Sequence, residues 1–285
     1  MKSLWMLSAS FLFSAMAVIV KMGAEEFGSL ELIFYRSLAG VIMLYGFIRA
    51  KGYTIATPHL FGHFKRSFIG TFSMSLWFFS LTMLPVGTSM TLNYTSPLFM
   101  AAFMIIFAVM RKQALNWGLI LSILLGFAGV CLVLQPSFES GQELGALLAL
   151  SSGFLGSIAY WQIKELGQLK EPSWRIVFYF TLFGTFYGLI GNLLFEGGLS
   201  PITSSNVIYL IGMAVCATLA QVSLTMAFGQ GNVLLSSCLQ FSAIVFAELM
   251  GLYFFGDALS LTTELGIGVI MVAGVIATVL AKKQQ

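Results

Sequence analysis

The sequence predicts an all-α polytopic membrane protein of ten transmembrane helices, arranged as two inverted five-helix repeats. Three observations lead there. With 58% apolar residues, 9% charged residues and 27 Phe in 285, the chain is too apolar for a soluble domain, of which about a quarter is charged. Ten apolar runs approach the roughly 20 residues that cross a hydrocarbon core. Residues 11–134 also match 154–279 at an offset of 143 to 145: Phe11-Leu12-Phe13-Ser14 with Lys21 returns as Phe154-Leu155-Gly156-Ser157 with Lys164, Leu32-Ile33-Phe34-Tyr35 with Gly40 as Ile176-Val177-Phe178-Tyr179 with Gly184, and Ala128-Gly129-Val130 as Ala273-Gly274-Val275. Five crossings per copy is odd, so the second copy enters from the opposite side.

The runs follow in order. Residues 4–20 come directly after Lys2, and although Ala15-Met16-Ala17 has the small residues of a processing site, the run has a repeat partner at 144–163 and reads as a retained helix. Residues 30–48 end on Arg49 and Lys51, and a connection over 49–66 leads to 67–84. Leu84-Pro85-Val86-Gly87 turns tightly into 89–109, and 117–134 closes the first repeat, residues 1–134. Residues 135–143 carry turn formers (Gln135-Pro136-Ser137) and link it to the second repeat, 144–285. That repeat holds the runs 144–163, 176–195, 207–228, 234–255 and 265–281, with a tight turn at Gly229-Gln230-Gly231-Asn232. Helices are the expected form, since unpaired backbone is costly in lipid and no barrel-like alternation is present.

Lys2, Arg49, Lys51, Lys65, Arg66, Arg111, Lys112, Lys164, Lys170, Arg175, Lys282 and Lys283 fall on one side, against Lys21 alone on the other. That bias predicts a multi-pass protein of a bacterial inner (plasma) membrane with both termini cytoplasmic. Glu25, Glu26, Glu139, Glu143, Glu196 and Glu264 gather opposite. The glycines of Gly126-Gly129 and Gly184-Gly188-Gly191 let helices approach closely, within a monomer or across a homodimer seam.

Two ionisable side chains lie inside runs, Arg36 and Glu248, each roughly 10 Å from the same end at about 1.5 Å per residue. A mid-membrane charge costs about 2.5–3.5 kcal/mol on the insertion scale, so both are expected to face a shared cavity. Arg36 would anchor an anionic group bidentately, and Glu248 would pair with it or exchange a proton. A structural ion pair is the competing reading. Asn93 and Tyr94 before Pro97, Gln221 and Gln240 add polar groups that need partners in lipid, with Ser96 and Gln162 beside them. Trp77 and Tyr179, with Tyr160 and Trp161, would supply an aromatic wall, whereas Trp5, Trp117 and Trp174 near run ends read as interface anchors.

The histidines, His59 and His63, fall in the predicted 49–66 loop, and Cys131, Cys216 and Cys238 are scattered through spans, which argues against a metal site or disulfide. No GxxxxGK phosphate loop is present and no cofactor is implied; proton or ion coupling stays open. Isolated intramembrane charges fit neither a membrane-embedded enzyme nor a channel ring. What remains is a secondary or facilitative carrier whose partners are a small-molecule substrate and the bilayer, with no nucleic acid.

The sequence resembles the ten-helix EamA-type carriers of the drug/metabolite transporter superfamily. The resemblance rests on Glu31-Leu32-Ile33-Phe34-Tyr35-Arg36, on Leu92-Asn93-Tyr94-Thr95-Ser96-Pro97-Leu98-Phe99, and on Gly256-Asp257-Ala258-Leu259-Ser260 with Gly266 and Gly274. The family's turn Glu after spans four and nine is replaced by Lys112 and Asp257. The resemblance implies alternating access around a cavity formed by spans other than five and ten, with Arg36 at a recurrent basic position. Substrates in the family are small organic solutes. An amino-acid-like, zwitterionic or carboxylate-bearing metabolite suits the Arg36 and Glu248 pair; a larger cofactor or nucleotide-type solute is the alternative.

Overall fold

The computed structural model describes residues 2–23, 27–112, 114–137, 140–204, 206–256 and 260–282. Glu25, Glu26, Glu139, Lys283 and the turn residues Asp257, Ala258 and Leu259 lie outside them. The described residues form twelve α-helices and no strand: α1 (Trp5–Gly23), α2 (Ser29–Lys51), α3 (Leu60–Leu81), α4 (Val86–Asn93), α5 (Ser96–Arg111), α6 (Trp117–Leu134), α7 (Glu143–Gln168), α8 (Ser173–Gly191), α9 (Val207–Gln230), α10 (Val233–Gln240), α11 (Ser242–Phe255) and α12 (Leu261–Lys282). A short π-helical turn, Asn192–Glu196, extends α8. Because α4–α5 and α10–α11 each make one broken crossing, twelve helices give the ten expected spans.

Among the described residues, nine of the crossings are long and apolar enough to span a bilayer by composition. The tenth, α3, is long enough at 22 residues but polar along one face. His63, Arg66, Ser67, Thr71, Ser73, Ser75 and Ser80 are buried against the bundle, while Phe61, Phe64, Phe68, Phe72 and Phe79 are exposed. The helix is polar inward and aromatic outward, the arrangement that places costly groups away from lipid. It begins at Leu60, seven residues before the run read from the sequence. His63 and Arg66 therefore belong to a helix and not to a loop, a correction to the assignment above.

The fourth crossing breaks at Tyr94–Thr95, and Pro97 sits in the first turn of α5, where its missing N–H costs no hydrogen bond. Pro97 thus starts a new helix and does not kink an existing one. The ninth crossing breaks at Phe241 without a proline.

Glycines set the closest helix approaches. A Cβ on Gly188 would lie 2.6 Å from the Phe34 backbone N, and one on Gly184 2.6 Å from Ser37 Oγ, so this glycine row seats α8 on α2. Gly126 faces Phe241, and Gly129 faces the Gly266 carbonyl on α12. Both rows are occupied by packing within the chain.

The two ends of the bundle differ. At one, Lys2 Nζ donates to Gln230 Oε1 (2.8 Å), Gln230 Nε2 to Ser173 Oγ (3.3 Å) and Arg175 Nη2 to the Thr54 carbonyl (2.9 Å), drawing the Lys- and Arg-rich connections together. At the other, Glu196 accepts the Leu30 and Glu31 backbone N–H groups (2.9 and 3.1 Å), capping α2 from across the chain. Glu31, buried, accepts from Ser200 N and Oγ (both 2.7 Å).

Candidate functional site

A cavity of about 270 Å³ lies at the centre of the bundle. Its lining comes from α1, α2, α3, the α4–α5 break, α7, α8, α9, α10 and α11, and includes nothing from α6 or α12. Of the residues singled out in the sequence, Arg36, Trp77, Asn93, Tyr94, Gln221 and Gln240 line it. Glu248 and Tyr179 do not.

Helix phase explains both departures. Gln240 on α10 and Ala243 and Ala247 on α11 present one face to the cavity, and Glu248, one residue on, turns about 100° away from it. Glu248 is half-buried and interacts with a neighbour there. Phe180 lines the cavity, whereas Tyr179 points to the Lys-rich end and donates from its hydroxyl to the Ile55 carbonyl (2.9 Å).

Arg66, absent from the sequence candidates, takes a place in the lining. Arg66, Gly70, Ser73 and Trp77 follow one another at i, i+4, i+7 and i+11, one continuous stripe of α3, and all four face the cavity. The guanidinium lies over the Phe180 ring, 4.5 Å from its centroid. It occupies the space that a side chain at Gly70 would fill, since a Cβ there would lie 2.0 Å from Nη1. Arg36 reaches the same cavity from α2, with Nη1 3.3 Å from Met74 Sδ.

The uncharged lining is partly tied down. Asn93 Nδ2 donates to Ser152 Oγ (2.6 Å) at the helix break, and Gln240 Nε2 approaches Tyr160 Oη (3.4 Å). The Tyr160 ring stacks on Phe228, 4.6 Å between centroids. Ser10 Oγ, Trp77 Nε1 and Gln240 Oε1 have no hydrogen-bond partner among the described residues. Among the described residues no group of three His, Cys, Asp or Glu side chains could hold a metal ion.

A second polar cluster sits one turn of α3 nearer the Lys-rich end. Glu171, between α7 and α8, accepts from Thr57 Oγ1 and from Arg175 Nη1 (3.0 Å) and lies 3.3 Å from His63 Nε2. Burial alone would push the Glu171 carboxyl up, but the Thr57 hydroxyl and Arg175 guanidinium outweigh it and hold the group below its ordinary value of 4.5. A depressed folded value gives stability that is complete above about pH 4.5 and is lost as pH falls through the lower folded value. Glu171→Gln is expected to cost about 1–3 kcal/mol by leaving Arg175 and His63 short of an acceptor. Thermal unfolding in detergent at pH 7 and pH 4 checks this: the gap between wild type and variant should narrow at pH 4.

A helical bundle of ten crossings around a lined central chamber is the architecture of a membrane carrier. Residues 1–135 match the EamA-like transporter family. The pseudopaline exporter CntI of Pseudomonas aeruginosa is 26% identical over 276 residues, spanning 96% of this chain and 94% of the exporter. The S-adenosylmethionine uptake transporter of Rickettsia conorii is 29% identical over 136 residues, 47% of this chain and 45% of that protein. A crystal structure with a TM-score of 0.86 and 19% identity covers 99% of this chain and 98% of its own, and shares the fold. The chain is thus similar to EamA-like transporters over its first 135 residues and to the exporter over nearly its whole length. Its helices are those of a multi-pass integral membrane protein.

Proposed function

We propose that the chain is a secondary carrier of small carboxylate-bearing organic solutes, moved by alternating access around the central cavity, with Arg36 as the substrate anchor. The observation that carries this reading is the make-up of the lining: a guanidinium on α2 facing a chamber walled by Trp77, Tyr94, Tyr160 and Phe180, with no carboxylate in the wall. Such a chamber attracts an anionic headgroup and accepts an apolar body beside it. A solute of net positive charge would meet guanidinium repulsion there, which separates this chain from a carrier of cations.

The two-repeat organisation, residues 1–134 and 144–285 joined by 135–143, belongs to the same proposal. The packing supports it. α2 pairs with α8 and α6 with α12, each with its counterpart, while α1 on α9 is matched by α7 on α3, and α1 on α11 by α7 on α4 and α5. Each half also contains one broken crossing. Among the contacts that lack an equally extensive counterpart is that of α7 on α9, since α1 makes no such approach to α3. On this reading the chamber is closed at the Lys-rich end and opens between α1 and α3 toward the other. The excess of Lys and Arg assigns the closed end to the cytoplasm of an inner membrane, with both termini there.

Counterflow in proteoliposomes tests the proposal. Vesicles loaded with a panel of small carboxylates are expected to exchange saturably with the same solute outside, and Arg36→Gln to lower the uptake efficiency about 10- to 100-fold, the value of one charge-assisted bond. Flux that rises without saturation, or that is indifferent to Arg36→Gln, counts against it.

A further inference from the structure

Arg66 is the feature that a single-anchor reading leaves unused. It is 3% exposed, it lines the cavity, and its Nε and Nη1 have no hydrogen-bond partner among the described residues. A buried guanidinium in that condition is costly to fold unless something later satisfies it. Its surroundings are shaped for it: the absent side chain of Gly70 leaves the space that Nη1 occupies, and the Phe180 face supports the cationic plane. Glu171, the carboxylate of the neighbouring polar cluster, is occupied by Thr57, Arg175 and His63. None of the described residues lining the cavity is acidic, so Arg36 and Arg66 give it two fixed positive charges without a counter-charge among them.

We infer that this cavity recognises an organic dianion, one anionic group held by Arg36 and the other by Arg66, the latter site being built by Gly70 and Phe180. The inference rests on the carrier reading for the role of the cavity, but dianion binding is measurable apart from transport. Each guanidinium offers a planar pair of donors that fits a carboxylate or a phosphate oxygen pair, so the shared requirement is two such groups on one small molecule. Two anchors in one cavity also discriminate by charge, because a monoanion of the same size leaves one guanidinium unsatisfied.

The test is the thermal midpoint of the purified full chain in detergent with defined probes: glutarate and adipate with two carboxylates, 3-phosphoglycerate with a carboxylate and a phosphate, butyrate with one carboxylate, choline with none, and sodium sulfate as an ionic-strength control. Glutarate, adipate or 3-phosphoglycerate is expected to raise the midpoint at concentrations at least 10-fold below those butyrate requires, choline and sulfate having no effect beyond ionic strength. Which of the three acts distinguishes paired carboxylates from a phosphate-bearing ligand. Arg66→Met should abolish that preference while the unliganded variant melts at or above the wild-type midpoint, since an unsatisfied buried charge has been removed. Arg66→Lys should retain part of the preference. Gly70→Ala, which keeps Arg66 but takes its space, should weaken dianion binding at least 10-fold.

The inference is overturned if Arg66→Met melts well below wild type, which marks a structural arginine, if that variant keeps the dianion preference, or if butyrate equals the dianions. Dianion binding without saturable counterflow would leave this inference standing and refute the carrier reading. Saturable counterflow of a monoanion with no dianion response would do the reverse.

Discussion

Replacing Gly129 or Gly266 with valine is expected to destabilise the protein by about 3 kcal/mol, the upper part of the range for forcing bulk into a close-packed contact. These glycines face each other where α6 crosses α12. A Cβ on Gly129 would lie 2.9 Å from the Gly266 carbonyl oxygen and 2.8 Å from Ile270 Cγ1; one on Gly266 would lie 2.8 Å from the Gly129 carbonyl oxygen and 2.9 Å from the Val133 N. Most of the obstructing atoms are backbone, so no rotamer change relieves the clash and one helix must move. In lipid the pair is held by packing alone, because acyl chains are as apolar as the side chains and no hydrophobic gain opposes separation. The double variant should cost less than the sum of the singles, since moving α12 once relieves both. Gly268 is the control: nothing lies within 4 Å of a Cβ there, and Gly268→Val should be nearly neutral. Thermal midpoint and monodispersity in detergent check the set. A near-neutral Gly129→Val would show that α12 is not seated by this contact.

The ten crossings were legible because lipid imposes a one-dimensional rule, a run of apolar residues of fixed length, and the chain obeys it nine times. The exception shows where the rule stops. α3 turns its serines, His63 and Arg66 inward and its phenylalanines outward, which lowers its average hydropathy without moving it out of the membrane. Lys65-Arg66 therefore reads as the end of a basic loop. Lys65 is exposed, while Arg66, 100° further round the helix, enters the cavity. The stripe Arg66-Gly70-Ser73-Trp77 was present in the sequence, and helix phase would have exposed it once the start of α3 was set correctly.

The same angular reasoning separates the residues that reached the cavity from those that did not. Equal depth along the chain made Arg36 and Glu248 look like partners, but depth fixes only the coordinate along the membrane normal. Azimuth decides whether a side chain enters the cavity, and it depends on which neighbour each helix packs against, a long-range fact set here by glycine contacts such as Gly188 on Phe34. Asn93 and Tyr94 were easier to place. They sit at the break in the fourth crossing, and a helix interruption in lipid is tolerated where the freed backbone groups face protein or a cavity.

Gly167→Val is expected to hold the chamber open at the Lys-rich end and to stop exchange while leaving the protein folded. A Cβ on Gly167 would lie 2.1 Å from the Gly229 carbonyl oxygen and 2.7 Å from its Cα, so α7 and α9 can meet there only if residue 167 has no side chain. That contact has no equally extensive counterpart in the other half, and on the proposed carrier reading it is a point at which this state differs from its reverse. Strain of about 1–3 kcal/mol on one of two states shifts their ratio some 5- to 150-fold. A carrier that must visit both states loses turnover accordingly, whereas binding to the open state persists. Ser10→Cys in a background lacking Cys131, Cys216 and Cys238 reports the change, because Ser10 lines the cavity. With Gly167→Val, an impermeant maleimide should label Cys at position 10 at least 10-fold faster from the Lys-rich face and more slowly from the opposite one. Gly46→Val, where nothing lies within 4 Å of the added Cβ, should change neither rate. Unaltered labelling together with normal counterflow would mean that this helix crossing is not the gate.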